Sequence, residues 1–264
     1  MKGLATLLIA ILLLSVAATA GPLEMSFGGG PSAISLGNIN ASIGVFNTLI
    51  THLNETFDIH PDVSGFVEPI DPMVSGLSFH AGERLWLMDW FGLGAAAEYF
   101  TSSSATAGQY EGDEVSTIDV SFGMTTFSVT LGGRATFLDA GLRLAAEGAV
   151  GYYYVAWDHA VIFEVPSEYP DTISGIPPEG EKRFTGSTFG FEVGLSLSYP
   201  IARWFSIGST VSYRAATVGS VTDQEGSELD LDGDGMPEPV DLDGITVRLT
   251  LSINFDLSPY GEKE

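Results

Sequence analysis

Apolar and polar side chains alternate without interruption through residues 245–257. The apolar positions are Ile245, Val247, Leu249, Leu251, Ile253, Phe255 and Leu257. Successive side chains of a β-strand point to opposite faces of its sheet, whereas a helix repeats its apolar positions every three or four residues. The segment therefore predicts a long strand with one apolar and one polar face.

Seven earlier segments also have strand character. They are residues 23–30, 75–87, 92–103, 115–133, 140–155, 184–199 and 205–216. Short connections at 88–91, 134–139 and 200–204 alternate with long ones at 31–74, 104–114, 156–183 and 217–244. Strands of about ten residues, joined by short turns at one end and long loops at the other, predict an all-β fold, an antiparallel transmembrane β-barrel of about eight strands.

Two positions break this pattern. In residues 115–133 the apolar side chains change face after Met124, and Phe127 begins the new series. We interpret the change as a β-bulge near Thr125 and Thr126. The second exception is Glu83, which the alternation places on the outer apolar face; we expect it near a membrane interface or at another bulge.

The beginning of the chain predicts export. Lys2 precedes an apolar run over residues 4–16, and Ala18-Thr19-Ala20 resembles a cleavage site, so residues 1–20 are predicted to be a signal peptide. Residues 21–264 then form a single outer-membrane barrel domain, with a helical insertion at 31–74 and an acidic loop at 217–244. We expect the bacterial outer membrane as its location, with outer-membrane lipid and the barrel-insertion machinery as partners.

Composition excludes one class of partner. The formal net charge is −24, and 17% of the residues are charged. A chain this acidic repels nucleic-acid phosphates, so we expect no nucleic-acid partner. The 32 glycines and 45% hydrophobic content suit one large β-domain.

Helical periodicity occurs once, in the first long connection. Spacings of three and four separate Leu36, Ile39, Ile43, Phe46, Ile50, Leu53 and Phe57. They would share one face of an amphipathic helix of about 20 residues. Such a helix could cap the barrel mouth, plug the lumen or lie on the membrane surface.

Charged residues on the strands fall mainly on the inner face. The alternation predicts a lumenal network of Arg84, Glu98, Arg143, Glu147, Glu192, Arg214 and Arg248. Charges facing hydrocarbon cost several kcal/mol near the membrane centre, so pairing inside the barrel is favoured. The interior of an eight-stranded barrel is just wide enough for side chains, so the network would block conduction. Aromatic residues near the strand ends, including Trp86, Trp90, Tyr153 and Trp204, are typical of interfacial girdles.

The acidic loop contains D-L-D-G-D-G-M-P-E-P-V-D at residues 230–241. Its spacing resembles the calcium loops of EF-hand and dockerin-like repeats, with a glycine at the sixth position. The resemblance implies calcium as a cofactor, held by Asp230, Asp232, Asp234, Glu238 and Asp241. The loop departs from the family because position 12 is Asp rather than Glu and strands flank it. The alternative is a solvated acidic loop.

No catalytic pattern accompanies these features. The four histidines are scattered, and the sequence lacks a nucleophile elbow, a phosphate-binding loop and a cysteine cluster. We therefore expect that the protein is not an enzyme.

The signal peptide, alternating strands and loop asymmetry together resemble the OmpA- and OmpX-type superfamily of small outer-membrane barrels. The resemblance implies a structural, envelope or surface-interaction role, and we expect a monomer. Two alternatives stay open: a barrel of the OmpW type that passes small hydrophobic molecules, and a soluble secreted calcium-binding β-domain.

Overall fold

A computed structural model describes residues 22–59, 64–111, 115–164, 180–230 and 235–255; the predicted signal peptide lies outside the described residues. The strands are β1 Leu23–Ile34, β2 Ser64–Gly65, β3 Ser75–Met88, β4 Phe91–Glu111, β5 Val115–Asp139, β6 Arg143–Glu164, β7 Gly180–Ala202, β8 Phe205–Ala215, β9 Thr217–Val218, β10 Val240–Asp241 and β11 Gly244–Phe255. One described helix, α1, spans Gly37–Asp58. Among the described residues, no helix combines the length and apolar content that a membrane crossing requires.

The long strands close into a ring. β1 pairs with both β3 and β11, and the order continues through β4, β5, β6, β7 and β8 back to β11, with every pairing antiparallel. β2 lies outside this ring, beside the far end of β4. Closure satisfies the backbone hydrogen bonds of all the ring strands, as a membrane-spanning sheet requires. The predicted antiparallel barrel of about eight strands is confirmed.

The strands are longer than their sequence indicated. β4 and β5 remain paired as far as Glu111 and Val115, so the predicted long loop at 104–114 is wrong. β6 and β7 likewise remain paired to Val161 and Gly180. The turn after β5 lies at 140–142 rather than within 134–139. Serine, threonine and glycine in these extensions resemble loop residues, but in the structure they continue the ladders.

The predicted bulge in β5 is also wrong. Pairing of β5 with both neighbours is continuous through Thr125 and Thr126. Met124 and Thr126 both face inward and are buried, so side chains continue to alternate between the two faces of the strand. What changes near Thr125 is the polarity of each face. The inner face is apolar before Thr125 and polar after it, and the outer face does the reverse. Such an inversion is expected where the surroundings change from water to hydrocarbon.

An apolar belt surrounds the ring on the side of Thr125 that is nearer the short turns. On β7 the outward side chains from Phe189 to Ile201 are exposed and apolar or aromatic, and Leu195 lies in the middle of the series. At about 3.3 Å per residue and a strand tilt of about 40°, this series spans about 25 to 30 Å. That height matches the hydrocarbon layer of a bilayer, which identifies the ring as a membrane-spanning barrel.

Aromatic residues border the belt at both ends, but fewer than the sequence indicated. Tyr99, Tyr152 and Tyr154 are exposed at the end of the belt opposite the short turns, which we call the outer end. Trp90 and Trp204 are exposed at the end with short turns. In contrast, Phe100, Tyr153 and Trp157 point inward and are buried, and the Trp86 ring donates a hydrogen bond to Glu24 inside the barrel. The girdle prediction therefore holds only for the outward-facing members.

Helix α1 lies at the outer end of the barrel with the apolar face that its spacing predicted. Its buried side chains are Ile39, Ile43, Phe46, Ile50, Leu53 and Phe57, preceded by buried Leu36. They belong to one hydrophobic core with the inner faces of β4, β5, β6 and β7, for example Ile118, Phe122 and Trp157. The helix thus covers the interior of the part of the barrel that stands outside the belt.

An extended segment at residues 67–73, which we call the strap, runs beside the helix. Three asparagines of α1 each bond both the backbone N–H and the C=O of one strap residue: Asn40 with Met73, Asn47 with Ile70 and Asn54 with Val67. Seven helical residues rise about 10.5 Å, and three residues of a proline-rich extended chain rise about 9.3 Å, so the two repeats match. On its other side the strap accepts hydrogen bonds from Ser104 and Thr106 of β4.

Candidate functional site

The barrel interior within the belt contains a network of ion pairs, which we call the lumenal network. Arg248 lies in the part of the network that is farther from the short turns. Its guanidinium donates to Glu98 Oε2 at 2.6 Å and to Ser212 Oγ at 3.0 Å, and it also pairs with Glu192. Arg214 donates to the other oxygen of Glu98 at 3.1 Å, so one carboxylate is held between two arginines.

A second group of charges lies nearer the short turns. Glu24 accepts hydrogen bonds from Arg84 at 3.0 Å, Arg134 at 3.3 Å and the Trp86 ring nitrogen at 3.2 Å. Glu147 lies 3.9 Å from Arg84 and 3.6 Å from Arg134. Both arginines therefore link the two carboxylates, and the group forms a closed set of charge-assisted contacts.

The described interior is balanced in charge. Four glutamates, Glu24, Glu98, Glu147 and Glu192, face four arginines, Arg84, Arg134, Arg214 and Arg248. The two cavities among them measure about 60 and 30 Å³, room for a few water molecules. A filled interior with paired charges offers ions no wide aqueous path.

Six of the seven residues predicted for this network are brought together, and Arg143 is not. Arg143 lies at the turn after β5, where its side chain is 43% exposed and pairs with Asp139 at 3.1 Å. The prediction placed it in the lumen because it began the strand at Ala140, whereas β6 begins at Arg143 itself, at the end of the barrel. Sequence reasoning missed Glu24 and Arg134. Continuing the inward series of β5 through Ser128 would have reached Arg134.

An apolar layer closes the network toward the outside. Arg214 lies under the rings of Phe100 and Tyr153, with its guanidinium carbon 5.8 and 5.9 Å from their centroids. Both rings are almost fully buried, and above them begins the core that α1 covers. The described interior thus passes directly from paired charges to a layer of buried aromatic rings.

Several polar atoms in this outer core have no hydrogen-bond partner among the residues that the structure describes. They include Tyr153 Oη, Trp157 Nε1 and both ring nitrogens of His159. The His159 side chain is buried beside the ring of Phe184, at 5.5 Å between centroids. Burial lowers the pKa of His159 below its ordinary value, and the positive charge of Lys182 acts in the same direction.

This lowered pKa predicts a loss of stability in acid. As pH falls below about 6.5, the unfolded chain protonates His159 while the folded chain resists, so the unfolded state gains protons and stability. We expect the free energy of unfolding to fall from pH 8 to pH 5, and less so in His159→Phe. Urea unfolding of both proteins at the two pH values measures this; identical pH dependence would contradict it.

The acidic loop is described only in part, because Asp232 and Asp234 lie outside the described residues. Asp230 accepts a hydrogen bond from the backbone N–H of Gly235 at 2.9 Å, and Gly235 has the positive φ of +82° that a tight turn requires. Glu238 accepts one from Ser42 of α1 at 2.6 Å, and Asp241 accepts one from Thr217 at 2.8 Å. In the described part of the chain, no three acidic, histidine or cysteine side chains form a metal-binding group.

Comparison with known proteins extends only to the fold. A scan against family models and a search of curated proteins gave no match. Among solved structures, the chain is similar to outer membrane protein OprG from Pseudomonas aeruginosa, with 12% identity over 90% of this chain and 97% of that one and a TM-score of 0.44. It is also similar to a major outer membrane protein from Thermus thermophilus, with 12% identity, coverage of 89% and 100% and a TM-score of 0.43. For Ail, the attachment invasion locus protein of Yersinia pestis, the values are 14%, 89% and 99%, and 0.39.

Proposed function

We propose that the protein is a closed bacterial outer-membrane barrel that anchors a folded surface structure, with an envelope or surface-interaction role. The supporting observation is the filled interior: a balanced charge network inside the belt and an apolar core above it. A barrel that conducts would need continuous water along its axis. The part outside the belt, made of the β4–β7 extensions, α1, the strap and the acidic loop, is then the functional surface.

The helix is a permanent part of this closed state. Seven apolar side chains, from Leu36 to Phe57, are almost fully buried. Burying one such side chain stabilises by about 1.5 to 3 kcal/mol, so withdrawing the helix would cost on the order of 10 kcal/mol. Thermal fluctuation does not supply that energy, which favours a fixed cover over a gate. The alternative of a laterally opening OmpW-type barrel for small hydrophobic molecules is less well supported, because the described interior contains a filled core beneath α1 and a charged network within the belt.

The test is conductance in planar lipid bilayers. The refolded protein should show no steady current over minutes at moderate voltage, and a porin refolded in the same way serves as the positive control. Steady ohmic conductance in every insertion would reject the closed barrel.

Calcium binding by the acidic loop is a separate part of this proposal. Oxygen ligands and the turn at Gly235 favour Ca²⁺, with an affinity on the order of 10⁻⁴ to 10⁻³ M as in extracellular modules. The hydrogen bond from Ser42 to Glu238 would connect such a site to α1. Titration calorimetry should detect binding by the wild type and a loss of binding in Asp232→Ala with Asp234→Ala. Equal binding by both proteins would show that the loop is only solvated charge.

A further inference from the structure

Directly outside the belt, the outer face of the β4–β7 extensions contains a cleft of about 780 Å³, which we call the outer trough. Ser103, Gly123, Asp158 and Arg183 lie on one row of paired residues across the four strands. Their inward neighbours Ser102, Phe122, His159 and Phe184 are buried, so this row faces out. Ser121 adds a hydroxyl in the next row.

The position of the outer trough relies on the belt beneath it. Tyr99 and Tyr154 mark the last aromatic row, and Tyr99 precedes Ser103 by four residues, or about 13 Å along the strand. Aromatic side chains of this kind lie at the level of lipid headgroups. At a strand tilt of about 40°, the trough lies about 10 Å beyond that level along the membrane normal, where only a headgroup that extends into the water reaches it.

A second cavity lies nearer the short turns, on β4–β7 and on the neighbouring strands β3 and β1. This apolar groove of about 760 Å³ is lined by Leu93, Leu131, Val150, Phe191 and Val193, and Gly133 and Gly148 form part of its floor. Leu131 lies near the middle of the β5 belt, where an acyl chain of an outer-leaflet lipid ends. The outer trough and the apolar groove thus lie at two levels of the same outward face of β4–β7, with the row of Tyr99 and Tyr154 between them.

The charges of the outer trough indicate the type of headgroup. Asp158 and Arg183 lie 3.6 Å apart and neutralise each other. Glu181, Asp223 and Glu225 add three negative charges to the lining and Lys182 adds one positive charge, so a phosphate would meet four carboxylates and two cationic groups. Carboxylates and serine hydroxyls instead suit the hydroxyl groups of a sugar, and the small side chains at Ser103 and Gly123 leave room for its puckered ring.

We propose that an outer-leaflet lipid with an uncharged sugar headgroup binds along β4–β7, with its headgroup in the outer trough and a chain in the apolar groove. The inference rests on the proposed membrane location. It adds to the proposed function a preference for one class of lipid headgroup.

Two glycines allow each cavity to be filled separately. A Cβ atom at Gly123 would approach nothing closer than Asp158, at 3.9 Å, and one at Gly148 would meet nothing within 4 Å. Gly123→Trp therefore fills the outer trough and Gly148→Trp the groove without an internal clash. Ala107→Trp is the matched control, since Ala107 is exposed on the same outer face of β4 but does not line the trough.

The experiment reconstitutes each protein in nanodiscs of digalactosyl diacylglycerol and phosphatidylglycerol and counts retained lipids by native mass spectrometry. The wild type and Ala107→Trp should retain the sugar lipid in preference to phosphatidylglycerol. Gly123→Trp should reduce that preference by about tenfold and Gly148→Trp by less. A Ser103→Ala, Ser121→Ala double variant, which only removes hydroxyls, should also weaken it.

Equal preference in the wild type and Gly123→Trp would overturn the inference, as would retention of phosphatidylglycerol as strongly as the sugar lipid. Heat-modifiable gel mobility separates this result from a failure of the proposed function. A wild-type chain that inserts and shifts but retains no sugar lipid overturns only the inference, whereas a chain that never inserts overturns the membrane location itself.

Discussion

Arg248→Met should lower the free energy of unfolding by about 3 to 5 kcal/mol, because breaking a buried ion pair leaves its partner uncompensated. The Arg248 side chain is 6% exposed and pairs with Glu98 and Glu192. After the substitution Glu192 loses the ion pair it makes in the lumenal network, and Glu98 keeps only Arg214. The free-energy cost of burying the Glu192 carboxylate without a cationic partner exceeds the gain from packing the methionine side chain.

Arg143→Met is the control for this effect. Its pair with Asp139 is about half exposed on both sides, and pairs of that kind contribute about 0 to 1 kcal/mol. Urea unfolding in liposomes measures both variants. Adding Glu98→Gln to Arg248→Met should cost less than the sum of the single changes, since the two residues interact. A loss for Arg248→Met no larger than for Arg143→Met would contradict the network.

Leu195→Arg should destabilise the inserted barrel by about 2 to 4 kcal/mol, the cost of a cation at the lipid-facing midplane. Leu195 is 56% exposed in the middle of the β7 belt, where the surroundings are hydrocarbon. Ser187→Arg on the same strand and the same face should cost almost nothing, because its position lies beyond Phe189 at the outer end of the belt.

Unfolding of the two variants in the same liposomes gives the comparison. Ser196, the inward neighbour of Leu195, is not a suitable control, since it is 3% exposed in a filled interior and an arginine there would displace its neighbours. Equal effects of arginine at positions 187 and 195 would show that the outer face meets one medium along its whole length.

Alternation, strand length and the order of short and long connections together predicted the ring, and alternation predicted most of the lumenal network. Residues 245–257 predicted β11 as far as Phe255, and inward parity placed Arg84, Glu98 and Arg248 together. The same rule failed in β5 because it assumed one medium outside the barrel, so an inversion of both faces was interpreted as a bulge. For Glu83, the expected bulge is wrong, because its pairing with both neighbouring strands is continuous; Glu83 faces outward and borders the apolar groove.

The arrangement of the helix depended on contacts that the heptad spacing does not contain. Leu36 and Phe57 indicated which face is buried but not against what. The asparagines at 40, 47 and 54 pair with residues 33, 23 and 13 positions away. Their seven-residue repeat and the prolines at 69 and 72 are visible in the sequence. The repeat indicates pairing with the strap only when the rise of seven helical residues is compared with the rise of three extended residues.

Nitroxide labels on β5 can detect the change from water to hydrocarbon along its outer face. The chain contains no cysteine, so a single introduced one is labelled alone. With the protein in liposomes, a label at Ser121 should be accessible to a water-soluble nickel reagent, and a label at Leu131 should be accessible to oxygen and shielded from nickel. Both side chains face outward on one continuous strand. Nickel accessibility at Leu131 equal to that at Ser121 would show that β5 does not cross from water into hydrocarbon.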